Sequence, residues 1–157
     1  MVRKNSGFSL MELMTVIGII AIVSAIAIPS LIGWMPKQRL GNGARDVLSA
    51  FEFTRLTAVK RPTAIVGITF DYATDSYSIT VDGQPVRSGT MPAGVDLQEP
   101  ESVDERLDNP IVFMNQGLPV NGDGDPNGGK LVLSSGNLTP KRIRLGVGGN
   151  ASIESGG

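Results

Sequence analysis

The chain has 157 residues, a length that suits one modest domain together with a membrane or targeting segment. It contains no cysteine and no histidine, so it lacks thiol nucleophiles and the commonest general base and metal ligand, which argues against hydrolases and zinc enzymes. Residues 1–60 carry seven basic and three acidic side chains, whereas residues 61–157 carry seven basic and twelve acidic ones, a poor balance for binding nucleic-acid phosphates.

An uncharged stretch of 23 residues runs from Leu13 to Met35. At about 1.5 Å per helical residue, it is long enough to cross a hydrocarbon core of roughly 30 Å. Pro29 lies inside it and predicts a kink or local melting near residues 25–29. Trp34 is predicted to anchor at the membrane interface. Basic residues flank both ends of the stretch, so charge alone does not assign its orientation.

The following segment, residues 37–61, is amphipathic. Its apolar side chains recur at helical spacing and predict one buried face, formed by Leu40, Ala44, Val47, Leu48, Phe51 and Ala58. Pro62 predicts the end of the helix. The first 60 residues therefore predict one long helix, apolar on all sides in its first half and amphipathic in its second.

From residue 63 onward the pattern favours β-strands. Two β-branched and aromatic segments, residues 63–70 and 76–81, predict a first hairpin, and the Asp82–Gly83 pair predicts a second, tight one. Residues 88–110 are predicted to be a loop, and short strands follow it. The predicted fold is α+β: a long N-terminal helix, transmembrane and then amphipathic, packed on a C-terminal antiparallel β-sheet head.

The residues ahead of the apolar stretch form a specific pattern. A short basic leader ends at Gly7 and is followed by Phe8 and, four residues later, by Glu12. This pattern resembles the N-terminus of type IV prepilins and type II secretion pseudopilins, and Pro29 also matches a proline of that family. The resemblance implies that a prepilin peptidase cuts after Gly7 and methylates the new N-terminus of Phe8. The order of the later segments is most similar to minor pseudopilin H and FimT-like minor pilins.

The resemblance also implies an organisation and a role. A prepilin leader (1–7) precedes a transmembrane assembly helix (8–36) and a globular head (37–157) made of an amphipathic helix (37–61) and a β-rich part (62–157). The protein would span the bacterial inner membrane once, with its head in the periplasm, and then enter a pilus or pseudopilus as a minor subunit that initiates or caps the filament. Its implied partners are other pilins, the prepilin peptidase and the membrane assembly platform. This is a structural role without catalysis.

Glu12 is a lone carboxylate at the edge of the apolar stretch. An ionised carboxylate in hydrocarbon is costly, so it is kept where it is paired or functional. The resemblance implies that Glu12 neutralises the N-terminal amine of a neighbouring subunit and so sets the register between helices. The simpler interpretation is a carboxylate at the level of the lipid headgroups.

Two other classes of function are left open. The first 27 residues could instead be an ordinary secretory signal, with cleavage after Ala27, which would make the protein a plain secreted β-rich protein. The head could also belong to a FimT-like minor pilin that binds DNA or a surface ligand. The last ten residues contain no Lys or Arg, so binding of nucleic acid is not expected.

Two charged stretches and a polar loop need separate interpretation. Asp123 and Asp125 alternate with asparagines as in calcium loops, but the glutamate that an EF-hand needs is missing, so no cofactor is predicted and calcium is kept as an alternative. The acidic segment 99–108 predicts a solvated loop or a contact with a basic partner. Lys141, Arg142 and Arg144 predict a solvated strand face.

Overall fold

The structure is a computed structural model that describes residues 8–155, with side chains given for residues 8–28 and 33–154. The chain divides into two compact units, Met1–Met35 and Pro36–Gly157. One helix, α1 (Leu10–Lys60), contributes to both and has 51 residues. It ends two residues before Pro62, whose ring disfavours a helical conformation of the residue before it. The predicted long helix and the α+β class are confirmed.

In the second unit, α1 buries one stripe of side chains against the sheets. The fully buried positions recur every three or four residues, as expected for one helix face, and comprise Leu40, Ala44, Val47, Ala50, Phe51, Thr54 and Ala58. Leu48, predicted on this face, is half-buried. Thr54 lies in the stripe without an orphaned hydroxyl, because its Oγ1 donates to the carbonyl of Ala50 at 2.7 Å.

The first sheet has five antiparallel strands in the order β3–β2–β1–β5–β6. Their bounds are β1 Val66–Asp71, β2 Ser76–Val81, β3 Gln84–Thr90, β5 Ile111–Phe113 and β6 Pro119–Val120. In the tight hairpin between β2 and β3, Val81 pairs with Gln84 across Asp82 and Gly83, both of which have positive φ. This is the primed turn that the Asp-Gly pair predicts.

The second sheet has four antiparallel strands in the order β4–β7–β8–β9. Their bounds are β4 Asp96–Gln98, β7 Gly129–Ser134, β8 Lys141–Leu145 and β9 Ala151–Ser155. Alternate residues of β7 and β8 are buried, among them Leu131, Leu133, Ile143 and Leu145. This alternation is typical of a sheet with one face on the core and the other in solvent.

The predicted loop 88–110 is wrong in part. It contains the last residues of β3, all of β4 and a 3₁₀ turn at Val103–Glu105. Strand β4 has three residues and is fixed by pairing with β7, more than thirty residues away in sequence. A strand this short carries too little periodicity to be recognised, since its extended conformation depends on a distant partner.

Candidate assembly segment

A serine cap closes the N-terminal end of α1. The backbone N–H of Glu12 donates to Ser9 Oγ at 3.2 Å, so Ser9 is the N-cap and Glu12 the third helical residue. This is the spacing of a capping box, and Phe8 and Leu13 hold the two positions of a hydrophobic staple. Sequence reasoning missed Ser9, although Ser-x-x-Glu ahead of an apolar helix is the signal for such a cap.

Glu12 lies in the first turn of α1, where the helix dipole favours a negative charge. Its side chain is exposed, and among the described residues it has no ion-pair partner. A carboxylate in this position can pair with a cationic group supplied from outside the chain. Gly7 lies outside the described residues, and Phe8 is 80% exposed. Processing at Gly7 and Phe8 and the assembly role of Glu12 stay predictions.

The segment Leu10–Ile28 is long and apolar enough to cross a membrane, with a mean hydropathy of 2.4. No part of it is buried within the chain. Its large apolar side chains, together with Phe8, are between 44% and 80% exposed. Such a surface is stable only where another apolar medium covers it, either lipid or the helices of other subunits. Together with the prepilin motif, it indicates membrane anchoring with an extracytoplasmic head.

Thr15 satisfies its hydroxyl within its own helix. The hydroxyl of Thr15 donates to the carbonyl of Met11 at 2.9 Å, so it adds no demand for a polar partner in an apolar medium. The helix is continuous over residues 25–29 and through Pro29, so no local melting is seen there. The side chain of Pro29 lies outside the described residues, and the predicted kink stays a prediction.

The loop with the calcium-like spacing is shaped by its asparagines. Asn121 Oδ1 accepts the backbone N–H groups of Asp123 at 3.0 Å and Asp125 at 2.9 Å. The side-chain amide of Asn127, which is buried, accepts a hydrogen bond from the N–H of Asp108 and donates one to its carbonyl. Two of the four oxygen ligands considered for calcium therefore already accept backbone hydrogen bonds. The calcium alternative at Asp123 and Asp125 stays a prediction.

The charged stretches of the head interact with each other. Lys130 Nζ lies 2.7 Å from Glu105 and 3.8 Å from Glu154, and Arg144 lies 3.4 Å from Glu154. The hydrogen bond from Lys130 is the main reason why the pKa of the Glu105 carboxyl is below its ordinary value. Lys130 thus neutralises part of the acidic segment, and Glu154 neutralises part of the basic strand face, which leaves less positive charge there for a polyanion.

Comparison with protein families gives two matches that together cover most of the chain. The prokaryotic N-terminal methylation motif matches residues 2–28, and type II transport protein GspH matches residues 43–150. A comparison with curated proteins gave no significant match.

Two solved structures show the same fold. The type IV minor pilin FimU of Pseudomonas aeruginosa is 19% identical, with a TM-score of 0.58 over 75% of this chain and 90% of FimU. The minor pseudopilin EpsH of the Vibrio cholerae type II secretion system is 14% identical, with a TM-score of 0.55 over 77% of this chain and 96% of EpsH. The GspH match spans more than half of the chain and carries the family assignment. The chain therefore belongs to the GspH family of type II transport proteins, as a minor pseudopilin or pilin subunit with a structural and not a catalytic role.

Proposed function

We propose that the chain is processed between Gly7 and Phe8 by a prepilin peptidase and then waits in the inner membrane as a single-pass protein with its head in the periplasm. From there, the membrane assembly platform moves it into a short filament, where it helps to start or cap assembly. The GspH match favours a type II secretion pseudopilus over a type IV pilus. Association with other pilins in a filament follows from the family.

One observation carries this proposal: an exposed apolar helix that begins with a single carboxylate, which has no ion-pair partner among the described residues. The apolar surface of Leu10–Ile28 is not covered by any of the described residues and needs neighbouring helices once it leaves lipid. Cleavage after Gly7 would expose the amine of Phe8, and Glu12 lies four residues after Phe8. A pair between Glu12 and the amine of a neighbouring subunit would fix the axial register of the two helices, a use for which buried polar contacts are well suited.

Three variants separate the charge of Glu12 from its position in the capping box. Glu12→Gln removes the charge but keeps a residue that can complete a capping box. Ser9→Ala removes the cap, which costs about 1 kcal/mol of helix stability, but keeps the carboxylate. Glu12→Ala removes the charge and the side chain that would complete the capping box, but keeps the Ser9 cap, which accepts a backbone N–H. We expect both Glu12 variants to be processed and to fold, but to be missing from sheared filaments, whereas Ser9→Ala enters them.

The measurement is the ratio of filament-bound to membrane-bound protein, by immunoblotting in a strain that makes the other pilins. If Glu12→Gln enters filaments as well as the unaltered chain does, pairing through the charge is wrong. If Ser9→Ala alone is excluded, the first turn acts through its cap and the amine pair plays no part. Both results leave family membership untouched.

Processing is tested by the mass of the mature N-terminal peptide from native membranes. We expect a peptide that begins at Phe8 and carries one added methyl group. A peptide that begins at Ile28 would mean ordinary signal cleavage and would remove Glu12 from the mature protein. The family matches do not favour the secreted-protein or DNA-binding alternatives, because they cover both the N-terminal segment and the head.

A further inference from the structure

A cleft of about 380 Å³ opens where α1 enters the head. Two lysines line it, Lys37 from α1 and Lys141 from the start of β8, and Thr139 adds a hydroxyl. Its apolar lining comes from Leu40, which is buried, and Leu138, which is half-buried. Two cations and a hydroxyl together with an apolar lining match the two ends of an amphiphile: an anionic headgroup and the start of its chains.

The charges of this cleft are unbalanced. Among the described side chains, no carboxylate lines it and neither lysine takes part in an ion pair. Elsewhere on the same sheet, Lys130 and Arg144 do have carboxylate partners. Residues 61–157 carry a net negative charge, so the cleft is a local exception on the head. An anion is therefore the ligand class that this site favours.

Chain connectivity brings this anion site close to lipid. Lys37 is the first charged residue after the uncharged stretch Leu13–Met35, and it comes three residues after Trp34, a residue type enriched at the membrane interface. The polar headgroup layer adds about 5–7 Å on each side of the hydrocarbon core, which is some four residues of helix. With the uncharged stretch Leu13–Met35 across the hydrocarbon core, Lys37 reaches the headgroup layer while the chain is anchored.

We propose that the cleft between Lys37 and Lys141 binds the phosphate of an anionic phospholipid before assembly and holds the head against the membrane surface. Lys141 distinguishes this site from simple juxtamembrane attraction, because it comes from β8, more than a hundred residues beyond the membrane segment. The proposal depends on membrane anchoring and goes beyond filament assembly, so it stands or falls independently of the Glu12 variants.

The first test uses the full mature chain in nanodiscs of phosphatidylcholine, with and without phosphatidylglycerol. Acetylation of each lysine is followed by peptide mass spectrometry. We expect slower modification of Lys37 and Lys141 in the anionic discs and no change at Lys60, which lies about 35 Å further along the same helix. Equal modification of Lys141 in both discs overturns the proposal, even if Lys37 is protected, because Lys37 alone would report only its nearness to the membrane.

The second test measures by native mass spectrometry how much phosphatidylglycerol stays bound. Loss of one lysine near an anionic surface lowers the preference for the anionic lipid about fivefold. We expect this loss in Lys37→Gln and Lys141→Gln, retention in Lys141→Arg, and no change in the matched variant Lys60→Gln. An equal loss in Lys60→Gln would mean a general charge effect and overturn the site. Equal protection of Lys141 by inorganic phosphate in phosphatidylcholine discs would overturn the lipid as its ligand.

Discussion

Helix α1 has two sections with the same secondary structure but opposite packing. In the section up to Ile28, large apolar side chains such as Ile20 are more than two-fifths exposed. In the section from Leu40 to Ala58, Val47 is completely buried and Phe51 is 1% exposed. The first section relies on a medium or a partner outside the chain, whereas the second is covered by the chain's own sheets.

The same contrast holds for polar groups. In the first section, the hydroxyl of Thr15 donates a hydrogen bond to the carbonyl of Met11 in the preceding turn of the same helix. Asp46 in the second section accepts the hydroxyl of Tyr77 at 2.9 Å and pairs with Arg87 at 3.3 Å, and so ties α1 to strands β2 and β3. Substitutions in the first section should therefore change membrane and filament behaviour, whereas those in the second should change the stability of the head.

The largest expected effect comes from the core. Phe51 packs against Phe70, with ring centroids 5.5 Å apart, and Phe51→Ala should lower the free energy of unfolding of the head by about 3–5 kcal/mol. Ile20→Ala, on a residue 57% exposed in the first section, should leave it unchanged. Thermal denaturation of the full chain in detergent, followed by near-ultraviolet circular dichroism, measures both. An equal loss in the two variants would contradict the contrast between the sections.

The glycines provide a smaller test of the same contrast. A Cβ on Gly149 would collide with the carbonyl oxygen of Gly117, and its φ of +77° adds strain, so Gly149→Ala should cost about 3 kcal/mol. Gly94 has a φ of +79° with open space around it, so Gly94→Ala isolates the backbone cost of about 1–2 kcal/mol. Gly18 in the first section also faces open space, and Gly18→Ala should leave the head's stability unchanged. Chemical denaturation ranks the three, and a different order would refute the steric explanation for Gly149.

The smallest expected effect concerns the hydroxyl of Tyr77. Tyr77→Phe removes its bond to Asp46 and should cost about 1 kcal/mol at neutral pH, whereas Thr15→Val should not affect the head. Burial, followed by the nearby Asp46, raises the pKa of Tyr77 above 10.0. The unfolded chain therefore loses this proton first, so stability is complete below about pH 10 and falls as the pH rises through the folded pKa.

Denaturation at several alkaline pH values tests this prediction. The fall in stability should be shallower in Tyr77→Phe than in the unaltered chain. Some fall should persist, because burial also raises the pKa of Tyr72. An identical alkaline slope in both proteins would show that Tyr77 does not contribute to it.

Much of this protein can be read from local sequence patterns. The long helix, its buried stripe around Val47 and Phe51, and the Asp82–Gly83 turn all follow from spacing and backbone preference within a few residues. The N-terminal pattern around Phe8 and Glu12 identifies the pilin class, since a processing motif is a property of the linear chain. Short-range periodicity is strong in these segments because each forms its hydrogen bonds within itself or with its nearest neighbour.

Tertiary structure decided the contacts that join distant segments. The side-chain amide of Asn109 accepts a hydrogen bond from the N–H of Phe70 and donates one to its carbonyl. It therefore takes the place of a neighbouring strand's backbone at the end of β1. Asp75 accepts the N–H of Leu97 at 2.8 Å and links the first hairpin to β4 in the other sheet. The cleft between Lys37 and Lys141 likewise joins residues more than a hundred positions apart. No local pattern encodes these pairs, because each exists only after the buried apolar faces have fixed where the backbone runs.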